Sequence, residues 1–532
     1  MTTGFEHEDA QAAMQKQGRG YGAGAQSYTG PLDGMVSRTV EVKLDERISV
    51  LDFGAIGNGI DDDTAAIQAA LTEAARAGDM AVFLPAGAYL ITAITIPAGV
   101  VLAGTSRMGW AHSGGVVYGT RFIIRQTATS AVTMGKGSSI EGIAFIYPDQ
   151  PVTDETPAII AYPVTIQAGS ANGVRINEVW CSGAYDFIQV TSGATVSNIG
   201  GYPCRHGIYI ASADDSIRIN NVHFNPNYLV AATTIPYQFY AYCAQTLEGA
   251  VLRIISADDV KATNIFGFCG TYGVQTGIVG GAGGGSPSLQ LLNFGFDQVR
   301  QGFNLGGNPG NFGIIVSNGY VTPNLGPDDT LRSGLHFRGL TGDSGGLFIF
   351  SNINFFGVGC SIPDSGPAEY YITGADTPYQ NTITMRGCIF RHYTGATPYS
   401  LAAFSDCRVH IEGYHIPSSV TSTPDNYRLT EPFSFGDVDD KSVTGNDAIT
   451  TVRLHLINLT NTSGTNTITL NAPSMSDGRI LVLRCVALTA GTLTLDDSGA
   501  VALSAAWVPD AGDTLTLMAS GSIWYEIARS AN

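Results

Sequence analysis

The sequence predicts an all-β chain built as a solenoid of parallel coils, and three observations carry that reading. The first is a loose repeat. INEV (176–179), VSNI (196–199), INNV (219–222), ATNI (262–265) and LLNF (291–294) each place a polar residue, usually Asn, before an apolar one. Their spacings of 20, 23, 43 and 29 residues centre on the low twenties, the length a solenoid coil needs. The second is composition: 66 Gly, 14% charged and 44% hydrophobic residues suit a turn-rich β protein better than a helical one. The third is periodicity. AVFLPAG, AYLITAITIPAG and VVLAGTS are strand-like runs, too short and too frequent for βαβ units. In coils of this kind Val, Ile and Leu point inward while each backbone pairs with the coils on either side.

Taken in order, residues 1–36 form an arm, in which HEDAQAAMQKQ can make a short helix and GRGYGAGAQSYTGPLDG is a Gly-rich connector. Residues 37–104 open the solenoid and contain one clear helix after Asp63, with Ala66, Ile67, Ala70, Leu71 and Ala74 on one face. Asp61, Asp62 and Asp63 read as turn and helix-cap chemistry, and Gly78 as the stop. The solenoid proper spans 105–416. Its 43-residue interval fits either two coils or one coil with an excursion. The intervening NPNYLVAATTIPYQFYAYCAQTLEG, with two prolines and Tyr228, Tyr237, Phe239, Tyr240 and Tyr242, favours one coil with a loop. Residues 417–444 read as a linker. The last segment, 445–532, reads as a small β-sandwich of antiparallel strands joined by hairpins.

A net charge of −18 without a Lys/Arg cluster argues against nucleic acid and anionic membrane surfaces as partners. No apolar run approaches the ~18 residues of a membrane helix, and the first twenty residues lack the apolar core of a secretory signal. The eight Cys (181, 204, 243, 269, 360, 388, 407, 485) show neither C-x-x-C nor zinc spacing, so they read as reduced, buried small hydrophobes. No metal or cofactor is expected.

The run VLDFGAIGNGIDDDTAAIQAAL, continuing to VFLPAGAYLITAITIPAGVVLAG, resembles the opening of the pectate-lyase-like superfamily of right-handed parallel β-helices. SVLDFGA preceded by SRTVEVKLDER is similar to bacteriophage tailspikes and tail fibres, as is the closing GDTLTLMASGSIWYEIARS. The resemblance is dense over 37–104 and weaker across GIYIASADDSIRINNVHFNPNY and SADDVKATNIFGFCGTYGVQTG. It implies a right-handed β-helix capped by the early helix and assembled as a homotrimer. The arm would dock on virion tail or adaptor proteins, and the β-helix would meet a host surface polysaccharide. It implies no ready-made active site: of the polygalacturonase signatures only ADD has a counterpart, GHG and RIK are missing, and no pectate-lyase Ca²⁺ set maps onto the chain.

The chemistry must therefore come from the residues themselves. GIYIASADDSIRINNVHF (207–224) and VLRIISADDVKATNIFGF (251–268) place the same acidic pair at the same point of two coils. Glycoside hydrolysis needs two carboxyl groups, about 5–5.5 Å apart for retention or 6.5–9.5 Å for inversion, and coils stack at ~4.8 Å. Asp214, Asp215, Asp258 and Asp259 are thus catalytic candidates, with Glu248 at the exit of the aromatic loop as a further acid. Tyr228, Tyr237, Tyr240 and Tyr242, with Arg218 and Arg253, are the substrate-binding candidates. The competing reading is that Asp recurs at these points because its side chain bonds nearby backbone in turns. Glu178 and Asp186 are the next carboxylates in order. Arg205 and His206 flank the cluster, and His223 reads as a packed coil residue. The expected function is a virion tailspike that binds and hydrolyses a host capsule, exopolysaccharide or lipopolysaccharide. The alternatives are a non-enzymatic receptor-binding fibre and a polysaccharide lyase.

Overall fold

The structure, a computed structural model, describes residues 26–531 apart from 30–32, 45, 79–80, 107–117, 156, 170, 232–234, 278–285, 308–312, 324–332, 339–346, 357–369, 376–381, 392–407, 415–426, 430–437, 447, 450–455, 474–479 and 498. Cys360 and Cys407 therefore lie outside the described residues, as does most of the arm. The chain divides into two compact units, 1–204 with 224–236 and 205–223 with 237–532.

In the first unit the long strands Ser139–Ile146, Arg175–Ser182 and Thr195–Tyr202 stack in parallel, residue on residue. A second ladder stacks Ile94–Ile96, Val132–Met134, Ile166–Gln167 and Ile188–Val190, also in parallel. Like residues therefore fall above like: Ile140, Ile176 and Val196 are in register and fully buried. A file of rings, Phe122, Phe145, Phe187 and Phe224, runs through the interior with centroids 5.6, 6.0 and 6.4 Å apart. Edge-on contacts of this kind favour the ring quadrupoles as well as burying apolar area.

The second unit repeats the plan. Ser216–Phe224, Ala257–Phe268, Pro287–Val299, Ile314–Pro323, Leu347–Phe356, Thr382–Arg391 and Arg408–Tyr414 stack as the long sheet. Ile208–Ile210, Ala250–Ile254, Tyr272–Thr276, Gln301–Leu305, Ser333–Arg338 and Tyr370–Ala375 stack as the short one. Ile208 pairs directly with Leu252, so the 43-residue interval is one coil with an excursion. That excursion holds a 3₁₀ turn, Pro226–Tyr228, and a helix, Tyr237–Thr246, where only a loop was expected.

The repeat seen in the sequence marks a corner. The penultimate residue of each motif adopts the left-handed conformation: Glu178, Asn198, Asn221, Asn264 and Asn293 have φ of 51 to 57°, and Asn318 and Asn352 continue the series at 57 and 54°. Gly142 and Gly387 occupy the same corner at 67 and 58°. Asn and Gly populate this region at least cost. The amides also bond along the stack: Asn293 Nδ2 donates to Asn264 Oδ1 at 3.4 Å and Asn352 Nδ2 to Asn318 Oδ1 at 3.2 Å.

The early helix, Thr64–Arg76, buries Ile67, Ala70, Leu71 and Ala74 as its period requires, and Gly78 follows at φ 103°. Its cap differs from expectation. The Asp63 side chain makes no cap bond; it is almost fully buried and accepts the N–H groups of Ile56 (2.6 Å) and Gly57 (3.1 Å). Asp62 Oδ1 accepts the Thr64 N–H instead, at 2.9 Å.

The C-terminal segment also departs from the expected antiparallel pattern. Val438–Val443, Leu456–Asn461 and Ile480–Leu488 pair in parallel, as do Ala448–Ile449, Asn466–Leu470 and Leu493–Leu495. The solenoid plan thus recurs here; among the described residues Thr514–Ser520 pairs antiparallel with Ile480–Leu488 and with Ile523–Ser530, and Leu495 bridges Trp507 antiparallel. One core joins both sheets, including Ile457, Leu459, Leu481, Leu483, Leu515, Leu517 and Trp524. Part of the expected linker is strand: Tyr427–Leu429 joins the long sheet and Val438–Val443 begins the terminal one.

Candidate functional site

The two acidic pairs come together. The Asp258 N–H donates to the Ala213 carbonyl at 3.0 Å and the Ala213 N–H to the Ser256 carbonyl at 3.1 Å. Farther along the same two strands, Thr263 Oγ1 donates to Asn220 Oδ1 at 2.8 Å. Asp214 and Asp215 are therefore one rung from Asp258 and Asp259, in a bend before one strand and inside the start of the next. Two residues there oppose one in the following strand, a β-bulge between Ala257 and Val260 that re-aims its side chains. Asp214, Asp215 and Asp258 are exposed, while Asp259 is half-buried and ion-paired with Lys261. Asp215 Oδ1 accepts the N–H of Ser216 at 2.6 Å. Asp215 and Asp259 thus also serve the local backbone and a neighbouring cation.

The other candidates separate. Glu248 is exposed, directly after the Tyr237–Thr246 helix, in the left-handed region at φ 49°. Next to it, a Cβ on Gly249 would collide with the Arg205 backbone, so Gly is required there. Tyr240 packs half-buried against Ala241, Ala244 and Cys269, and Tyr242 is half-buried on the same helix. The Tyr237 side chain lies outside the described residues. Tyr228 is no sugar platform: it is buried in the first unit with its ring 6.2 Å from Trp180. The 3₁₀ turn that opens at Pro226 folds it back into the interior. Arg218 is exposed on Ser216–Phe224. Glu178 and Asp186 belong to the first unit, Glu178 at the left-handed corner and Asp186 buried.

Arg253 occupies a position that sequence spacing did not reveal. It lies in register with Tyr209 on one side and with Gln275, Asn304 and His336 on the other, a polar line across five strands of the short ladder. Strand alternation sets this line on the opposite face from Leu252, Ile254, Val274, Phe303 and Leu305, which are fully buried. Arg253, Gln275 and Asn304 are 6, 2 and 3% exposed, which is unusual for such polar groups. Asn304 Nδ2 donates to Gln301 Oε1 at 2.6 Å, whereas its buried Oδ1 has no partner among the described residues. Such an acceptor costs free energy until water or a ligand hydroxyl meets it. Each acidic pair follows a member of this line in the chain, Asp214 after Tyr209 and Asp258 after Arg253.

Among the described residues no group of three or more His, Cys, Asp or Glu is placed to hold a metal ion, and no helix is long and apolar enough to cross a membrane. The described cysteines, Cys181, Cys204, Cys243, Cys269, Cys388 and Cys485, are buried and unbridged.

With this geometry the chain compares with known proteins as follows. Residues 47–115 match the family model described as rhamnogalacturonase A/epimerase, pectate lyase-like. The match is confined to the opening of this β-helix. The chain is also similar to mannuronan C5-epimerases of Azotobacter vinelandii: 57% identical to AlgE5 over 44 residues and 32% identical to AlgE6 over 135. These stretches are 8 and 25% of this chain, and the chain spans only 4 and 14% of those relatives. Among solved structures, the tailspike of E. coli bacteriophage HK620 in complex with a hexasaccharide aligns over 92% of this chain and 86% of its own, at TM-score 0.47 and 13% identity. The surface adhesin PfbA of Streptococcus pneumoniae aligns over 91 and 99% at TM-score 0.35 and 11% identity. Tailspike protein 3 of bacteriophage CBA120 aligns over 82 and 68% at TM-score 0.36 and 13% identity. The pectate-lyase-like match stops before the acidic pairs and the polar line, so it assigns neither of them a role.

Proposed function

We propose that this protein is a virion tail component that binds a host surface polysaccharide and cleaves it by glycoside hydrolysis through the paired carboxylates. The observation that carries the reading is the Asp258–Ala213 backbone bond, which sets the two acidic pairs one rung apart. A rung of ~4.8 Å approaches the ~5–5.5 Å carboxyl separation of retaining glycosidases. One pair would protonate the leaving oxygen and the other attack the anomeric carbon, with Glu248 as an alternative acid. The polar line through Arg253, Gln275 and Asn304 supports a ligand rich in hydroxyls, as does the unmet Asn304 Oδ1. Assembly as a homotrimer belongs to the same proposal. It is supported by Met518, Tyr525 and Ile527, all more than a third exposed on the terminal sheet.

A second reading, adhesion without cleavage, is favoured by the Asp215–Ser216 and Asp259–Lys261 contacts, which give those carboxylates structural work. The deciding experiment is release of reducing ends from host-type capsule, exopolysaccharide and lipopolysaccharide, with alginate included. Hydrolysis predicts release by the wild type and a fall of at least about a hundredfold in Asp215→Asn or Asp259→Asn. Unchanged release in both variants and in Glu248→Gln would remove the carboxylate assignment. Binding without release by the wild type would make the protein an adhesin, and release of unsaturated ends would make it a lyase.

A further inference from the structure

Three rings of the second unit share one outer line. His223, Phe266 and Tyr320 each stand two residues beyond the left-handed corner of their rung, at Asn221, Asn264 and Asn318. The rung between Phe266 and Tyr320 offers Gly295 at that position, in register with both. The Tyr320 ring leans over this glycine, so closely that a Cβ there would lie 2.7 Å from it. On the other side the His223 and Phe266 rings are 4.9 Å apart, tilted by 46°. All three are half-buried: the sheet supports one side and solvent reaches the other. The strip crosses four rungs, a span of about 14 Å.

Asp297 borders this strip. It lies two residues beyond Gly295, in register with Phe268 and Thr322, and is itself half-buried. Burial pushes its carboxyl above the usual range, and burial together with the nearby Asp297 charge raises the Tyr320 phenol. Burial lowers the His223 imidazole, which keeps it an uncharged ring at neutral pH. Immediately beyond, Gln298 and Cys269 both adopt left-handed backbone, at φ 49 and 57°, and meet through Cys269 Sγ and Gln298 Oε1 at 3.7 Å.

We propose that His223, Phe266 and Tyr320, edged by Asp297, form a binding strip for uncharged pyranose units of a polysaccharide, separate from the acidic pairs. Aromatic faces accept the C–H faces of sugar rings, and a carboxyl at the rim bonds their hydroxyls. A chain of net charge −18 with a further carboxyl at the rim disfavours a polyanionic stretch at this place. The proposal rests on the polysaccharide reading above but not on cleavage.

The test is binding of the full chain to an array carrying neutral polymers (dextran, galactomannan, neutral O-antigen and capsule chains) and uronate polymers (alginate, pectate). Binding to at least one neutral polymer is expected. Phe266→Ala and Tyr320→Ala should each weaken it about tenfold, while Tyr320→Phe, which keeps the ring, should retain it. Reducing-end release is read in parallel, so that loss of cleavage with retained neutral-polymer binding leaves the strip standing. Tyr320→Leu, which fills the space over Gly295 without an aromatic face, separates recognition from folding: an unaltered melting curve with lost affinity supports the strip. Equal affinity of the ring-less variants, or binding confined to the uronate polymers, overturns it. So does failure to bind any neutral polymer.

Discussion

Asp63 and Asp297 are two carboxyls that the fold treats in opposite ways. Asp63 is buried but receives two backbone N–H groups, so its charge replaces water with fixed donors. Asp297 is half-buried and its carboxyl sits above the usual range, because burial outweighs the one backbone bond from Gln298. The sign for stability follows. A carboxyl whose folded value is raised favours the folded state while protonated, and that contribution is lost as pH rises through the raised value. Asp297→Asn should therefore raise the urea midpoint of the second unit at pH 7 and leave it unchanged near pH 3. A lower midpoint at pH 7 would show that the ionised carboxyl is instead stabilised by its neighbours. Neither role is legible from residue order. Asp63 stands where a helix cap belongs, and only the path of Ile56–Gly57 diverts it. Asp297 looks like any strand Asp until Phe268 and Thr322 are stacked on either side of it.

The corner ladder is the element that the sequence displays most openly. Its Asn residues recur because few side chains tolerate φ near 55°, so conformation leaves a mark in composition. Glu178 is the exception among Asn and Gly. Glu178→Asn should raise the denaturation midpoint of the first unit by an amount worth roughly 1 kcal/mol, and Asn293→Ala should lower that of the second by a similar amount. A Glu178→Asn variant that is less stable would mean that contacts of the Glu carboxylate outweigh its backbone cost. Strand direction in the terminal segment is a different matter. LHLINL and ILVLRCVAL alternate with period two whether their neighbours run parallel or antiparallel, so pattern alone favoured hairpins while the chain makes coils. YQFYAYCAQT hid its helix for a related reason. Its tyrosines read as loop aromatics, yet Phe239, Cys243 and Ala244 share the buried face.

At the scale of the molecule, stacking supplies each rung with neighbours but leaves the ends and the outer faces to be managed. The early helix, with Ile67, Ala70, Leu71 and Ala74 buried, covers the first coils. In the second unit, Met518, Tyr525 and Ile527 remain exposed on a sheet whose opposite face is a closed apolar core. The proposed homotrimer predicts a solution mass of three chains by light scattering, reduced to one by Met518→Asp combined with Tyr525→Asp. A single-chain mass for the unsubstituted protein would refute that assembly. Coil length, the corner residues and the acidic repeat were all readable in advance, since each depends on a few neighbours in the chain. The polar line through Arg253 and the ring strip through Phe266 were not, because register between coils, which no local pattern encodes, creates them.

The excursion between Phe224 and Ala250 has one more consequence. Ile208–Ile210 pairs with Ala250–Ile254 as any two successive rungs would, so the pairing of these rungs does not require a detour of any particular length. Such a detour behaves as an exchangeable cassette. Its exposed positions can drift or lengthen by descent or by engineering, provided that Tyr228 and Phe239 stay packed, while the rungs that hold the acidic pairs keep their spacing. New ligand preferences can thus be acquired at this point without refolding the scaffold that presents them.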